Sequence, residues 1–189
     1  MTNNDTGDLI LHCAILWDPD HKSEQNTKDY LALIKHILTI APETLEKKSA
    51  EGYTPLQLAV FNERKDVVAY LLSIGANQRT RDRNGRNLLH SLAPRSRLAT
   101  GQLAEINETI ELFDKTAVKE MMLERTSVSY GSLTPLAYWM GKTCYFHTKP
   151  DLMNILTQYS SGEDLGMIDG QGDLPLHIVS PLYLLKELF

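Results

Sequence analysis

An all-α fold of stacked helical hairpins is what this sequence predicts, on three observations. The stretch Gly52 to Arg81, GYTPLQLAVFNERKDVVAYLLSIGANQRTR, holds two short apolar-faced helices closed by a glycine. Gly85 lies 33 residues after Gly52 and opens a similar segment, DRNGRNLLHSL. A pair of short helices cannot bury its own apolar face, so recurrence at this period reads as units stacked on one another. The composition agrees: four Phe and eleven Gly in 189 residues argue against a large aromatic-rich β core.

The first unit, about residues 7–48, is the most degenerate at its start. Leu9-Ile10 stand where the second unit has Thr54-Pro55, while Leu11, His12 and Ala14 keep the register. Its second helix is expected from Tyr30 to Ile40, with Leu33, Ile34, Ile37 and Leu38 on the apolar face. The polar, aperiodic run Asp18 to Lys28, DPDHKSEQNTK, reads as an inserted surface loop between the two helices. Ala41-Pro42 ends the helix, since Pro cannot continue it.

The second unit, 49–81, has the clearest signals. The Thr54 hydroxyl can cap free amides of the first turn, and Pro55 suits the first helical position, where a missing N–H costs nothing. Leu56, Leu58 and Ala59 begin one apolar face. A polar break at Asn62 to Lys65 is followed by Val67, Val68, Leu71 and Leu72 at helical spacing. Gly75 then stops the helix by taking the left-handed conformation.

The third unit, 82–128, opens with Asn87 as helix cap before Leu88, Leu89, His90 and Leu92. Ala93 to Gly101 reads as a loop, and Leu103 to Phe113 as the second helix, with Leu103, Ile106, Ile110 and Phe113 on one face. Thr116 to Leu123 is expected to add one helical turn covering the side of the stack through Val118, Met121 and Met122. The fourth unit, 129–168, restarts at Thr134-Pro135-Leu136. It loops from Lys142 to Pro150 and continues as a helix from Asp151 to Tyr159 with Leu152, Ile155 and Leu156. The fifth, 169–189, begins DGQGDLPLHIV and ends on Leu184, Leu185, Leu188 and Phe189. End units of such stacks normally carry a polar outer face. The apolar ending implies a fragment, a helix that folds back, or a docked partner, with the fragment as the preferred expectation.

The pattern G-x-T-P-L-x-x-A followed by V-x-x-x-L-L-x-x-G-A at this period closely resembles the ankyrin repeat. The resemblance covers most of the chain, although only the second unit is close to the consensus. It implies a solenoid of helix–turn–helix units with short hairpin fingers, forming a single domain over 1–189. The insertions between paired helices resemble the irregular repeats of fungal ankyrin-rich proteins. The resemblance further implies that His12, His90 and His177, at one repeat position, join neighbouring repeats by hydrogen bonds. Gln57 and Ala137 stand at that position in the other two, and Trp139 near a place usually held by Ala.

Constellations with catalytic or metal chemistry fall away in turn. Cys144-Tyr-Phe-His147 lacks a second Cys/His pair at ligand spacing and an identifiable orienting base. Asp164, Asp169 and Asp173 among glycines lack both the final Glu of a calcium loop and the Lys-Ser/Thr of a phosphate loop. No catalytic residue, metal, cofactor or small-molecule substrate is therefore expected, and no enzyme activity.

Arg79, Arg81, Arg83 and Arg86 are different. Alternate residues of an extended finger face the same way, so the first three can form one basic edge on a chain of net charge −5. Glu46-Lys47-Lys48 and Glu124-Arg125 occupy related fingers. By the family resemblance these tips line the surface where partners bind, so the expected function is a non-catalytic scaffold or adaptor for a protein partner with an acidic surface. The alternative is the recruitment segment of a larger enzyme or regulatory protein. The acidic balance argues against nucleic acid, and no apolar run is long enough for a membrane. Two cysteines without a framework and an N-terminus, MTNNDTGD, unlike a secretory signal imply the cytoplasm or nucleus.

Overall fold

The computed structural model describes residues 10–17, 24–93, 102–143, 154–155 and 157–175. Every regular element among them is helical, with no strand. The chain divides into two compact units, Met1–Arg83 and Asn84–Phe189.

In the first unit α1 (Ile10–Leu16) and α2 (Glu24–Ile40) form one hairpin, and α3 (Pro55–Phe61) and α4 (Lys65–Ser73) the next. First helix packs on first, α1 against α3, and second on second, α2 against α4. The interface is apolar and closed: Leu11, Ile34, Leu56, Val67, Val68 and Leu71 are almost wholly buried. Complete burial of such side chains contributes about 1.5–3 kcal/mol each, which neither hairpin could gain alone. Polar links fix the stacking. The Tyr30 hydroxyl donates to the Ile15 carbonyl at 3.1 Å, and the Arg64 guanidinium lies 4.8 Å from the Tyr30 ring centre. The expected cap is present, with Thr54 Oγ1 accepting from the Gln57 amide at 3.3 Å and Pro55 in the first helical turn.

Two details of this unit differ from the sequence expectation. Helix α2 begins at Glu24, so Glu24 to Lys28 belong to a helix and not to a loop. Elongating an existing helix through good helix formers such as Glu, Gln and Lys costs far less than nucleating one, and polarity alone does not stop it. Its buried face runs through Tyr30, Ile34, Ile37 and Leu38, while Leu33 is 38% exposed. Tyr30 lies in line with Ile34, one helical turn on, and Leu33 falls beside that stripe.

The second unit holds α5 (Leu88–Ser91), α6 (Gln102–Glu111), α7 (Lys115–Leu123) and α8 (Pro135–Thr143). Helix α5 is short but doubly capped. Asn87 Oδ1 accepts the His90 amide at 3.1 Å, and His90 Nδ1 accepts the Asn87 amide at 3.3 Å. The segment expected as a single covering turn is a nine-residue helix, α7, packed against both α5 and α8. Asp114 caps it through the Ala117 amide at 2.9 Å. Ala117, Val118, Met121 and Met122 are nearly inaccessible, so this helix belongs to the core. Trp139 is also completely buried, its indole N–H donating to the Leu89 carbonyl at 2.8 Å. Of the helix expected at Asp151 to Tyr159, Ile155 is buried, and Leu152 and Leu156 lie outside the described residues. Of the loop expected at Lys142 to Pro150, Lys142 and Thr143 belong to α8, and residues 144–150, like 94–101 and the ending from 176 onward, lie outside the described residues.

Candidate protein-binding surface

Between helical hairpins the chain forms tight turns that bond to one another. In the first unit the Ser49 amide donates to the Tyr53 carbonyl at 2.9 Å, closing one finger, and the Arg83 amide donates to Glu51 at 3.3 Å, joining the next finger to it. In the second unit the Ser127 amide donates to Asn84 at 2.8 Å and the Gly170 amide to Gly131 at 2.8 Å. Glycine is required where backbones come this close. A Cβ on Gly52 would lie 2.7 Å from the Arg83 nitrogen, and one on Gly85 would lie 2.7 Å from the Ser127 nitrogen. Both have positive φ, 84° and 74°.

The recurring histidines brace the same junctions. His12 Nε2 donates to the Tyr53 carbonyl at 3.1 Å, and His90 Nε2 to the Leu133 carbonyl at 3.0 Å. Each acceptor directly precedes the capping Thr of the following repeat, Thr54 or Thr134. His177 lies outside the described residues. With close glycine-mediated contacts and part-buried histidine bridges, the motif residues account for the repeat geometry. A sequence profile described as "Ankyrin repeat" matches residues 51–83.

This chain carries an ankyrin repeat at residues 51–83 and is similar to ankyrin repeat proteins. It is 33% identical over 90 residues to the nuclear factor NF-kappa-B p105 subunit of Rattus norvegicus, a match covering 48% of this chain and 9% of that protein. The p105 subunit of Gallus gallus is 32% identical over 95 residues, covering 48% and 8%. A Rickettsia bellii protein described as an ankyrin repeat protein is 31% identical over 106 residues, covering 54% and 14%. The chain thus spans a small part of the length of these relatives. Ankyrin repeats serve generally as protein–protein interaction modules and are generally non-enzymatic.

Of the basic residues singled out in these repeats, three stand on one finger. Arg79, Arg81 and Arg83 are exposed, whereas Thr80 and Asp82 between them are buried. The finger is tied down along its length. Asn77 Oδ1 accepts the Arg79 amide at 2.9 Å, and Glu46 Oε1 accepts the Asn77 amide at 2.7 Å. Lys48 Nζ donates to the Arg81 carbonyl at 2.7 Å. This brings an exposed ammonium from the preceding finger onto the arginine row, with exposed Lys47 beside it in sequence. Arg86 belongs to the second unit, half-buried, its guanidinium 6.0 Å from the Tyr130 ring centre.

The fingers of the second unit carry exposed apolar residues that sequence reasoning passed over. Val128 and Tyr130 are exposed on the Val128–Tyr130 turn, and Ile168 on the following finger. The only signal for them is the absence of periodicity in TSVSYGSL, where a Val and a Tyr have no helix face to join.

The acidic residues of the last finger serve the fold. Asp169 Oδ1 accepts the amides of Gln171 at 2.8 Å and Asp173 at 2.9 Å, and Asp164 is fully buried and accepts from Ser160 Oγ. Cys144 and His147 lie outside the described residues. Among the described residues no group of three His, Cys, Asp or Glu is placed to hold a metal ion, and no helix is long and apolar enough to cross a membrane.

Proposed function

We propose that this chain is a non-catalytic adaptor that docks an acidic protein partner on its fingers, in the cytoplasm or nucleus. The observation that supports it is the row Arg79, Arg81 and Arg83, exposed at alternate positions on a finger fixed by backbone bonds. Holding the backbone of the finger in place lowers the cost of ordering it around a partner, and like-signed charge on an acidic chain steers an acidic partner to one place. Arg86, over Tyr130, supplies an Arg–aromatic pair of the kind enriched at binding hot spots.

The test is pull-down and direct titration with wild type beside Arg79→Glu/Arg81→Glu/Arg83→Glu. Exposed ion pairs are each worth ~0.2–1 kcal/mol. Losing three weakens a specific partner on the order of tenfold, mainly through slower association, and wild-type binding declines as salt rises. Helical circular dichroism stays unchanged. A folded triple variant that keeps every wild-type partner at wild-type affinity overturns the reading. A second reading, the recruitment segment of a longer regulatory protein or enzyme, draws support from relatives of which this chain matches only 8–14%. Sequencing the transcript around these codons tests it, and a stop codon directly after Phe189 with no upstream coding sequence rejects it.

A further inference from the structure

The finger that carries the arginines also fixes their spacing, and spacing selects the shape of a ligand. Exposure alternates strictly through 79–83, with Arg79, Arg81 and Arg83 outward and Thr80 and Asp82 inward. Alternate exposure is the pattern of extended chain, whose two-residue advance of about 7 Å is the most that can separate the stems of successive arginines in the row. The backbone beneath the row is also tied down. Glu46 secures Asn77, Asn77 secures Arg79, Lys48 secures the Arg81 carbonyl, and Glu51 secures the Arg83 amide. Glu46 is thereby engaged with the backbone, while Lys47 and Lys48 add positive charge alongside.

We propose that the ligand of this finger is an extended acidic peptide segment with carboxylates at alternate residues, laid along residues 79–83. This rests on the adaptor reading above and adds the form of what is bound. An extended peptide shows every second side chain on one face, with the same repeat of about 7 Å, so carboxylates and guanidinium groups meet one for one. A block of consecutive acids in the same conformation turns half its charge to the far side. Acids on a helix meet at every third or fourth residue, only about 5–6 Å apart, and drift out of step with the row. The planar guanidinium fork matches a carboxylate with two parallel hydrogen bonds, which makes position matter beyond charge alone. Because single exposed pairs are weak, only a ligand in register across all three gains appreciably.

The experiment uses the full chain and three fluorescein-labelled synthetic peptides of identical Glu and Ser composition. In one the Glu alternate with Ser, in one they form a single block, and in one they sit at every fourth position. Anisotropy titrations at low and physiological salt are run on wild type, Arg81→Glu, the triple reversal and Lys119→Glu, an exposed charge on α7. The expected result is that the alternating peptide binds on the order of tenfold more tightly than either isomer. Arg81→Glu, which breaks the row at its centre, should abolish that preference, and Lys119→Glu should keep it. Equal binding of all three peptides, lost in the triple reversal, overturns the register while leaving the basic finger as the docking site. No binding, or binding indifferent to the triple reversal, overturns both. Displacement of the peptides by a single-stranded oligothymidylate at lower concentration overturns the peptide assignment in favour of nucleic acid.

Discussion

His90 ties its own helix start to the next repeat through the two nitrogens of its ring. Nδ1 accepts from the Asn87 amide at its own helix start, and Nε2 donates to Leu133 in the next repeat. His90→Ala leaves a part-buried carbonyl and a buried amide without these partners, so it should cost about 1–3 kcal/mol in urea melts. His90→Gln should restore part of this, since Gln57 occupies the same repeat position fully buried. The role of this histidine could be read before any coordinates, because recurrence at one repeat position marks a structural duty. Tyr159 could not. Its hydroxyl donates to Asn107, whose amide in turn donates to Glu111, and these residues meet only in the folded chain. Burial, and after it the Glu111 charge, raises the Tyr159 pKa above the ordinary phenol value of about 10. As pH rises the unfolded chain therefore gives up this proton first. The stability it contributes is intact below the unfolded value and is lost as pH climbs through the folded one. Tyr159→Phe should flatten that alkaline loss, and Glu111→Gln should lower the phenol pKa only part of the way, as followed by ultraviolet phenolate titration.

Helices α3 and α4 show how much a well-formed repeat discloses. Cap, proline, apolar spacing and glycine stop all point the same way in one sequence window, and the structure follows them within a residue. Leu71, wholly buried between the stacked hairpins, should cost ~2–5 kcal/mol when cut to Ala, and Met121 of α7 a similar amount. Helix α7 was harder to read because it has no family template. Its Val118, Met121 and Met122 spacing fits both a surface cover and a core helix, and only packing against α5 and α8 decides. The same limit applied at α2, where Glu24 to Lys28 look like loop by composition yet continue a helix. Replacing those five residues with Gly and Ser should lower helicity measurably by circular dichroism. Between helices, the fingers admit no side chain at their close approaches. Gly52→Ala and Gly85→Ala meet both backbone overlap and unfavourable φ, and each should destabilise by more than ~1 kcal/mol.

At the scale of the whole chain, the acidic net charge and the basic finger coexist because the repeats separate duties: core positions set stacking, and tips are free to vary. That separation made the arginine row visible in the sequence, since only alternation and charge were needed. The reach of Lys48 to the Arg81 carbonyl was not visible, because those residues are 33 apart in sequence and become neighbours only when one finger lies on the next. One packing detail equips the molecule with its own optical gauge. Of its two tryptophans, Trp139 is sealed in the second unit against the Leu89 carbonyl, while Trp17 in the first is 57% exposed. In a Trp17→Phe background all indole emission would come from the sealed ring. It should be blue in the native protein and shift red as denaturant opens the second unit, with Met121→Ala moving that midpoint to lower urea. A red native spectrum would mean that water already reaches the ring.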